Sequence, residues 1–188
     1  MADFSKLENL KNECTLCTAC ELHKTRTNTV FGRGSYNASL LFIGEAPGEK
    51  EDLSGQAFVG ASGKLLDKFL AEAGISDDSY FIANIIKCRP PKNRDPKKEE
   101  EDKCIAFLER QIELINPKVI VCLGRISAKR IIKKDFSITQ EHGKWFEKDG
   151  RKITAVYHPA AILRDARKKD EEAQDFKKIA EMIKTLTN

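Results

Sequence analysis

Four short apolar runs constrain this chain more than any other feature: SLLFIGEA, YFIANIIK, KVIVCLG and ITAVYHP. Each is bounded by breakers and nearly free of charge, the pattern of strands buried on both faces of a sheet. Helical spacing fills the intervals. GASGKLLDKFLAEAG places Leu65, Leu66, Phe69, Leu70 and Ala73 on one face and meets Gly74 as a C-cap. Pro96 opens KKEEEDKCIAFLERQIELI, whose acids Glu99 to Asp102 crowd the first turn, where the helix dipole favours them. DEEAQDFKKIAEMIKTL repeats the spacing through Phe176, Ile179, Ile183 and Leu186, and SITQEHGKWFEKDGRKITAVYH reads as a hairpin about Asp149-Gly150. Strands alternating with helices predict an α/β fold: a three-layer α/β/α sandwich around a central, mainly parallel four-stranded sheet.

In such a sheet the loops at the carboxyl ends of the strands form the crevice that binds ligands. GEAPG, NIIKC, CLGR and YHPAAILR are then expected at one edge. The stretch GEAPGEKEDLSGQAFVG reads locally as a solvated loop, because glycine, proline and acids compose turns. Its place directly after an apolar strand gives it a second reading, as a wall of that crevice.

At 188 residues the chain suits one domain over 1–188, large enough to bury a core without disulfides. The opening MADFSKLENLKNE has no apolar core of signal-peptide length, and no run approaches the about 18 apolar residues of a membrane span. The expectation is a soluble, cytoplasmic protein without membrane association, whose six cysteines are reduced ligands or core thiols. The net charge of +4 is modest, but RISAKRIIKK carries five basic residues and no acid, and PPKNRDPKK and LRDARKK are basic too. These segments are either solvated faces or, if they share one face, a phosphate-binding surface.

CTLCTAC sets Cys14, Cys17 and Cys20 at two overlapping C-x-x-C spacings, with Cys88 after a strand and Cys104 in a helix far downstream. Two close thiols and two remote ones complete a tetrathiolate site if the fold joins them; independent buried thiols are the plainer alternative. Such sets serve zinc or an iron–sulfur cluster. The second pair is not a C-x-x-C knuckle, which tilts the reading toward iron–sulfur. Cys122, inside VIVCLG, reads as a core thiol.

With CTACELHKTR, FGRG, GEAPGEKEDLSGQAFVG, NIIKCRPPKNRDP and HPAAILR in this order from about Cys17 to Arg164, the chain resembles the family-4 uracil-DNA glycosylases, the iron–sulfur branch of their superfamily. The resemblance implies base-excision repair of DNA: a monofunctional glycosylase that flips out uracil, hydrolyses its N-glycosidic bond and leaves an abasic site. The family pattern C-x-x-C-x-L-x-x-x-R fits Cys17, Cys20, Leu22 and Arg26. It implies a structural 4Fe-4S cluster on Cys17, Cys20, Cys88 and Cys104, with Cys14 as an extra thiol whose spacing to Cys17 is equally good.

The same resemblance assigns the site. Gly44 brings the backbone close to the base, Phe58 is the ring on which uracil stacks, and Glu51 lies near uracil C5. Asn84 is the reader of the uracil edge; in a plain reading it is a buried amide satisfied by nearby backbone. His158 is the catalytic donor at uracil O2, and Glu45 is the catalytic carboxylate on the water side of the sugar. Ile162 and Leu163 are expected to wedge into the duplex while Arg164 meets a phosphate. Uracil-containing DNA, double- or single-stranded, is the expected partner of a monomeric chain, with any sliding-clamp partner unassigned. A branch that traps uracil-DNA covalently through a histidine is disfavoured, since KCRPPKNRDPKKEEED has none. The rival from another class is a non-catalytic iron–sulfur DNA-binding or redox module.

Overall fold

The computed structural model describes residues 4–187. At its centre is a six-stranded sheet in the order β1-β3-β2-β4-β6-β5. The strands are β1 (Arg33–Gly34), β2 (Leu40–Gly44), β3 (Tyr80–Asn84), β4 (Val119–Leu123), β5 (Phe146–Lys148) and β6 (Arg151–Val156). The four apolar runs supply the inner strands β3, β2, β4 and β6, all parallel. The sheet exceeds the expected four strands because β1 adds antiparallel to β3 and β5 to β6. Each of these edges has only two or three residues and is at least half exposed, so neither leaves an apolar run in the sequence.

The helices are α1 (Phe4–Thr15), α2 (Glu49–Ser54), α3 (Ala61–Glu72), α4 (Lys98–Ile115), α5 (Arg125–Ile131), α6 (Ile138–Glu141), α7 (Pro159–Arg164) and α8 (Lys169–Thr187). Strand side chains alternate between faces, so the inner strands feed two cores. Leu41, Ile43, Phe81, Ala83, Ile120 and Cys122 pack with Leu7 and Leu10 of α1, Leu108 of α4 and Ala128 of α5. Leu40, Phe42, Ile82, Val119 and Val121 pack on the opposite side with Leu66 and Phe69 of α3 and with Phe176 and Ile179 of α8. Phe176 docks its helix by stacking on Phe42 at 6.0 Å and on Phe69 at 5.3 Å; burying each such ring contributes about 1.5–3 kcal/mol. The result is the expected α/β/α sandwich.

The local signals also act as their chemistry dictates. Glu100, in the acidic first turn of α4, accepts both Arg94 guanidinium nitrogens and the Lys97 N–H, tying down the helix start. Asp149 and Gly150 both take positive φ, 52° and 73°, making the tight hairpin turn between β5 and β6. One reading needs correction: GEAPGEKEDLSGQAFVG is not loop throughout, because its acids Glu49, Glu51 and Asp52 form the first turn of α2. Among the described residues, no helix is long and apolar enough to cross a membrane.

Because the inner strands are parallel, their carboxyl ends share one edge. The chain crosses from β2 to β3 on one side and from β4 to β6 on the other, so a crevice opens between the ends of β2 and β4.

Candidate active site

A cleft of about 610 Å³ lies over that edge, with Glu45, Glu51, Phe58, Asn84, His158 and Arg164 in its walls. Gly44 closes β2 beneath it. A Cβ on Gly44 would collide with the Asn84 side-chain oxygen and with the Phe58 ring, so glycine is what lets amide and ring meet at the strand end. Asn84, the last residue of β3, is 1% exposed, and among the described residues neither its Nδ2 nor its Oδ1 has a hydrogen-bond partner. An unsatisfied buried polar group costs about 1–3 kcal/mol. Lying in a cleft wall, this amide has a donor and an acceptor available for a ligand.

Phe58 sits in the left-handed region at φ 53°, a conformation costing a side-chain-bearing residue about 1–2 kcal/mol. Two neighbours enforce it. Glu51 Oε1 accepts the N–H groups of Val59 at 2.9 Å and Gly60 at 2.7 Å, and Gly63 lets α3 press on the Phe58 carbonyl, where any Cβ would collide. The Phe58 ring is 6% exposed and lies 5.8 Å from the His158 ring, tilted by 38°.

His158 caps α7, and its Nδ1 accepts the Ala160 N–H at 3.1 Å. That bond places the ring proton on Nε2, which is left as a donor. Burial, and then the Arg164 charge, push the imidazole pKa down to about 4 against the opposing pull of Glu51, so the ring is neutral at pH 7. Its loop is anchored by fully buried Glu172, whose Oε2 accepts the Tyr157 N–H at 3.0 Å. Burial pushes Glu172 up to about 9, so this carboxyl keeps its proton at neutral pH.

Glu45 is half-buried just past β2. Burial, reinforced by Asp95 and opposed by Arg125, raises its pKa to about 7. Asp95 in turn accepts from Arg125 at 3.1 Å across the cleft mouth. A carboxyl with such a pKa changes charge near neutral pH and can handle a proton there.

The three basic segments do meet at this cleft, though through four side chains: Arg94, Arg125, Arg164 and Lys168. Of these, Arg94 is held by Glu100 at 2.6 Å and Arg125 by Asp95 at 3.1 Å, and elsewhere in the segments Arg130 is held by Asp102 at 2.6 Å and Lys133 by Glu141 at 2.6 Å. The expected wedge is half corrected. Ile162 is 3% exposed and packs in the core beside the sheet, whereas Leu163 is 54% exposed. The cause is the α7 helix, which turns Pro159 and Ile162 inward and leaves the next side chain outside.

Below the sheet edge, Cys14, Cys17, Cys20, Cys88 and Cys104 line one cavity with Arg26 and Lys87. Arg26 Nη1 donates to Cys88 Sγ at 3.2 Å and the Lys87 N–H donates to Cys104 Sγ at 3.3 Å. Fold therefore gathers five thiols rather than four, while Cys122 lies 0% exposed in β4, its thiol pKa strongly raised by burial. Among the described residues no three His, Cys, Asp or Glu side chains converge as a single metal ion requires. A tetrahedral zinc draws sulfurs to about 2.3 Å from one point; a multi-iron cluster spreads its ligands around a larger body, and its thiolates suit cationic and N–H donors. The donor set fits a cluster. Among the described residues, none lines both this cavity and the cleft.

Sequence reasoning missed Asp52, an acid among acids with no local signal. It is 3% exposed and accepts from the Thr27 N–H at 3.0 Å, stapling the segment after Arg26 to α2.

Residues 31–184 match the model of the uracil DNA glycosylase superfamily. The chain is 46% identical over 187 residues to a type-4 uracil-DNA glycosylase of Archaeoglobus fulgidus, covering 95% of this chain and 94% of that protein. It is 46% identical to a type-4 uracil-DNA glycosylase of Sulfurisphaera tokodaii, covering 97% and 87%, and 43% identical to one of Thermotoga maritima, covering 85% and 84%.

Proposed function

The chain belongs to the uracil DNA glycosylase superfamily, and we propose that it is a monofunctional uracil-DNA glycosylase, a DNA-repair hydrolase that removes uracil from DNA and leaves an abasic site. The observation that carries this reading is Asn84, a buried amide with both polar atoms unpaired in the cleft wall. Its Nδ2 donates to uracil O4 and its Oδ1 accepts from N3–H. Cytosine offers an amine and a bare N3 at those positions and meets donor with donor and acceptor with acceptor.

To reach the cleft the nucleotide leaves the duplex, which costs a few kcal/mol and least for a mispaired or single-stranded base. Arg164 and Lys168 at the cleft attract phosphates of any sequence, and Leu163 enters the gap left in the stack. Uracil lies on Phe58. Glu51, which fixes the Phe58 turn, stands by C5, where a thymine methyl has no room. As the glycosidic bond breaks, its electron pair goes to the base, and the His158 Nε2–H stabilises the charge growing on O2. The Glu45 carboxylate faces the sugar, steadies its positive charge and orients the water whose oxygen bonds to C1′. It accepts the proton that this water loses, while the uracil anion regains a proton from solvent.

The thiolate set belongs to a 4Fe-4S cluster held by Cys17, Cys20, Cys88 and Cys104. When bound, it supplies a cross-link joining the N-terminal segment, the end of β3 and α4, and it takes no part in bond cleavage. Cys17→Ser and Cys20→Ser are expected to lose iron and melt earlier, while Cys14→Ser keeps its iron. Iron per chain and melting temperature check this; a Cys14→Ser protein without iron would reassign the ligands.

The test of the function is incubation of pure protein with end-labelled oligonucleotides carrying uracil opposite guanine, uracil in a single strand, or thymine, followed by alkali and a denaturing gel. Alkali-dependent breaks at uracil alone are expected. Intact strands from iron-replete protein would favour a non-catalytic DNA-binding or redox module.

A further inference from the structure

Lys87 follows β3 by three residues and is 1% exposed. Among the described residues no carboxylate pairs with it. Its Nζ donates to two neutral acceptors, the Asn84 carbonyl at 2.8 Å and Gln111 Oε1 at 2.6 Å. Gln111, itself 0% exposed on α4, donates from Nε2 to the Phe31 carbonyl at 2.8 Å. The backbone of Lys87 is fixed as well: its N–H donates to Cys104 Sγ at 3.3 Å and its carbonyl accepts the Val30 N–H at 2.8 Å. An apolar chain of the same length would fill the space without burying charge. The thiols of the cavity that Lys87 lines favour a cation there, but the hydrogen bonds of the ammonium go to the Asn84 carbonyl and to Gln111.

From this geometry we infer that Lys87 is a positioning residue for Asn84, locking the peptide plane beyond it so that the amide stands ready before uracil arrives. Asn84 is where β3 ends, and its side chain has no partner of its own to hold it. Orientation must come from the backbone. The peptide plane beyond Asn84 is held at both ends: its N–H, that of Ile85, donates to the Gly44 carbonyl, and its carbonyl takes the Lys87 ammonium, with Gln111 as the brace from α4. The Ile86 N–H on the Glu45 carbonyl fixes the next plane. An unpaired reader held in this way avoids ordering cost on binding.

The inference rests on the reading of Asn84 as the group that meets uracil, and the experiment separates the two. Uracil release under single-turnover conditions, iron content and cluster absorbance are measured for Asn84→Ala, Lys87→Met and the double variant. Lys87→Met is expected to slow release about tenfold to a hundredfold with full iron content. Added to Asn84→Ala, it should change the rate less than about twofold, because residues acting through one group are not additive. Losses that multiply, or iron that falls along with the rate, would overturn the positioning role. If Asn84→Ala itself releases uracil normally, the reading of Asn84 fails instead. Should Lys87→Met not fold, Gln111→Leu, which removes the brace and keeps the lysine, is put through the same cycle with the same non-additivity expected.

Discussion

Replacing His158 by alanine is expected to lower the rate of uracil release by about 10²–10³, the loss found when one preorganised donor to a developing oxyanion is removed. DNA affinity should barely change, since on the proposed function the histidine meets only the base edge, while phosphates are met by cations at the cleft such as Arg164 and Lys168. The size follows from the state of the ring. Nδ1 is occupied by the Ala160 N–H, so Nε2 is a donor, and the pKa of about 4 keeps the ring neutral throughout the working range. A neutral donor strengthens its bond as O2 gains charge and has no excess proton to release beforehand. His158→Gln, which retains a donor on a flexible stem, should fall between wild type and His158→Ala. Single-turnover release together with binding of an uncleavable uracil analogue decides it; equal losses in rate and affinity would assign His158 to DNA binding.

Much of this architecture was legible because the inner strands are buried on both faces. Leu40 to Gly44 and Val119 to Leu123 have no exposed position, so they read as unbroken apolar runs, and parallel strands place their loops at one edge whatever those loops contain. What escaped was decided by contacts between distant segments. β1 is Arg33–Gly34, a pair that becomes a strand only because Phe81 and Ile82 lie beside it. Lys87 carries no local mark at the end of YFIANIIK; its ammonium is buried against Gln111, twenty-four positions away. Ile162 and Leu163 looked equivalent in HPAAILR, although helical spacing from Pro159 would have separated them. The site was legible as residue types and missed as supports: Asn84 and Phe58 stand out, whereas Gln111, Glu172 and Asp52 hold them or their loops in place without any local mark.

Glu45 is expected to set the pH dependence of uracil release. Its carboxylate is the useful form, whether it orients water or balances charge on the sugar, so activity should fall as the group protonates. Because burial and Asp95 raise its pKa to about 7, release should rise with pH about tenfold per unit well below 7 and level off above it. His158, already neutral above about 4, adds no second limb in that range. Glu45→Gln preserves the shape without the charge and should lower the plateau rate by about 10²–10⁴ while flattening the rise. Asp95→Asn removes the like charge beside Glu45, and the midpoint should then move to lower pH. That shift separates an effect on Glu45 from a general loss of fold, which would lower the rate at every pH alike. A wild-type profile flat from pH 5 to 8 under single-turnover conditions would remove Glu45 from the chemical step and leave it a wall of the cleft.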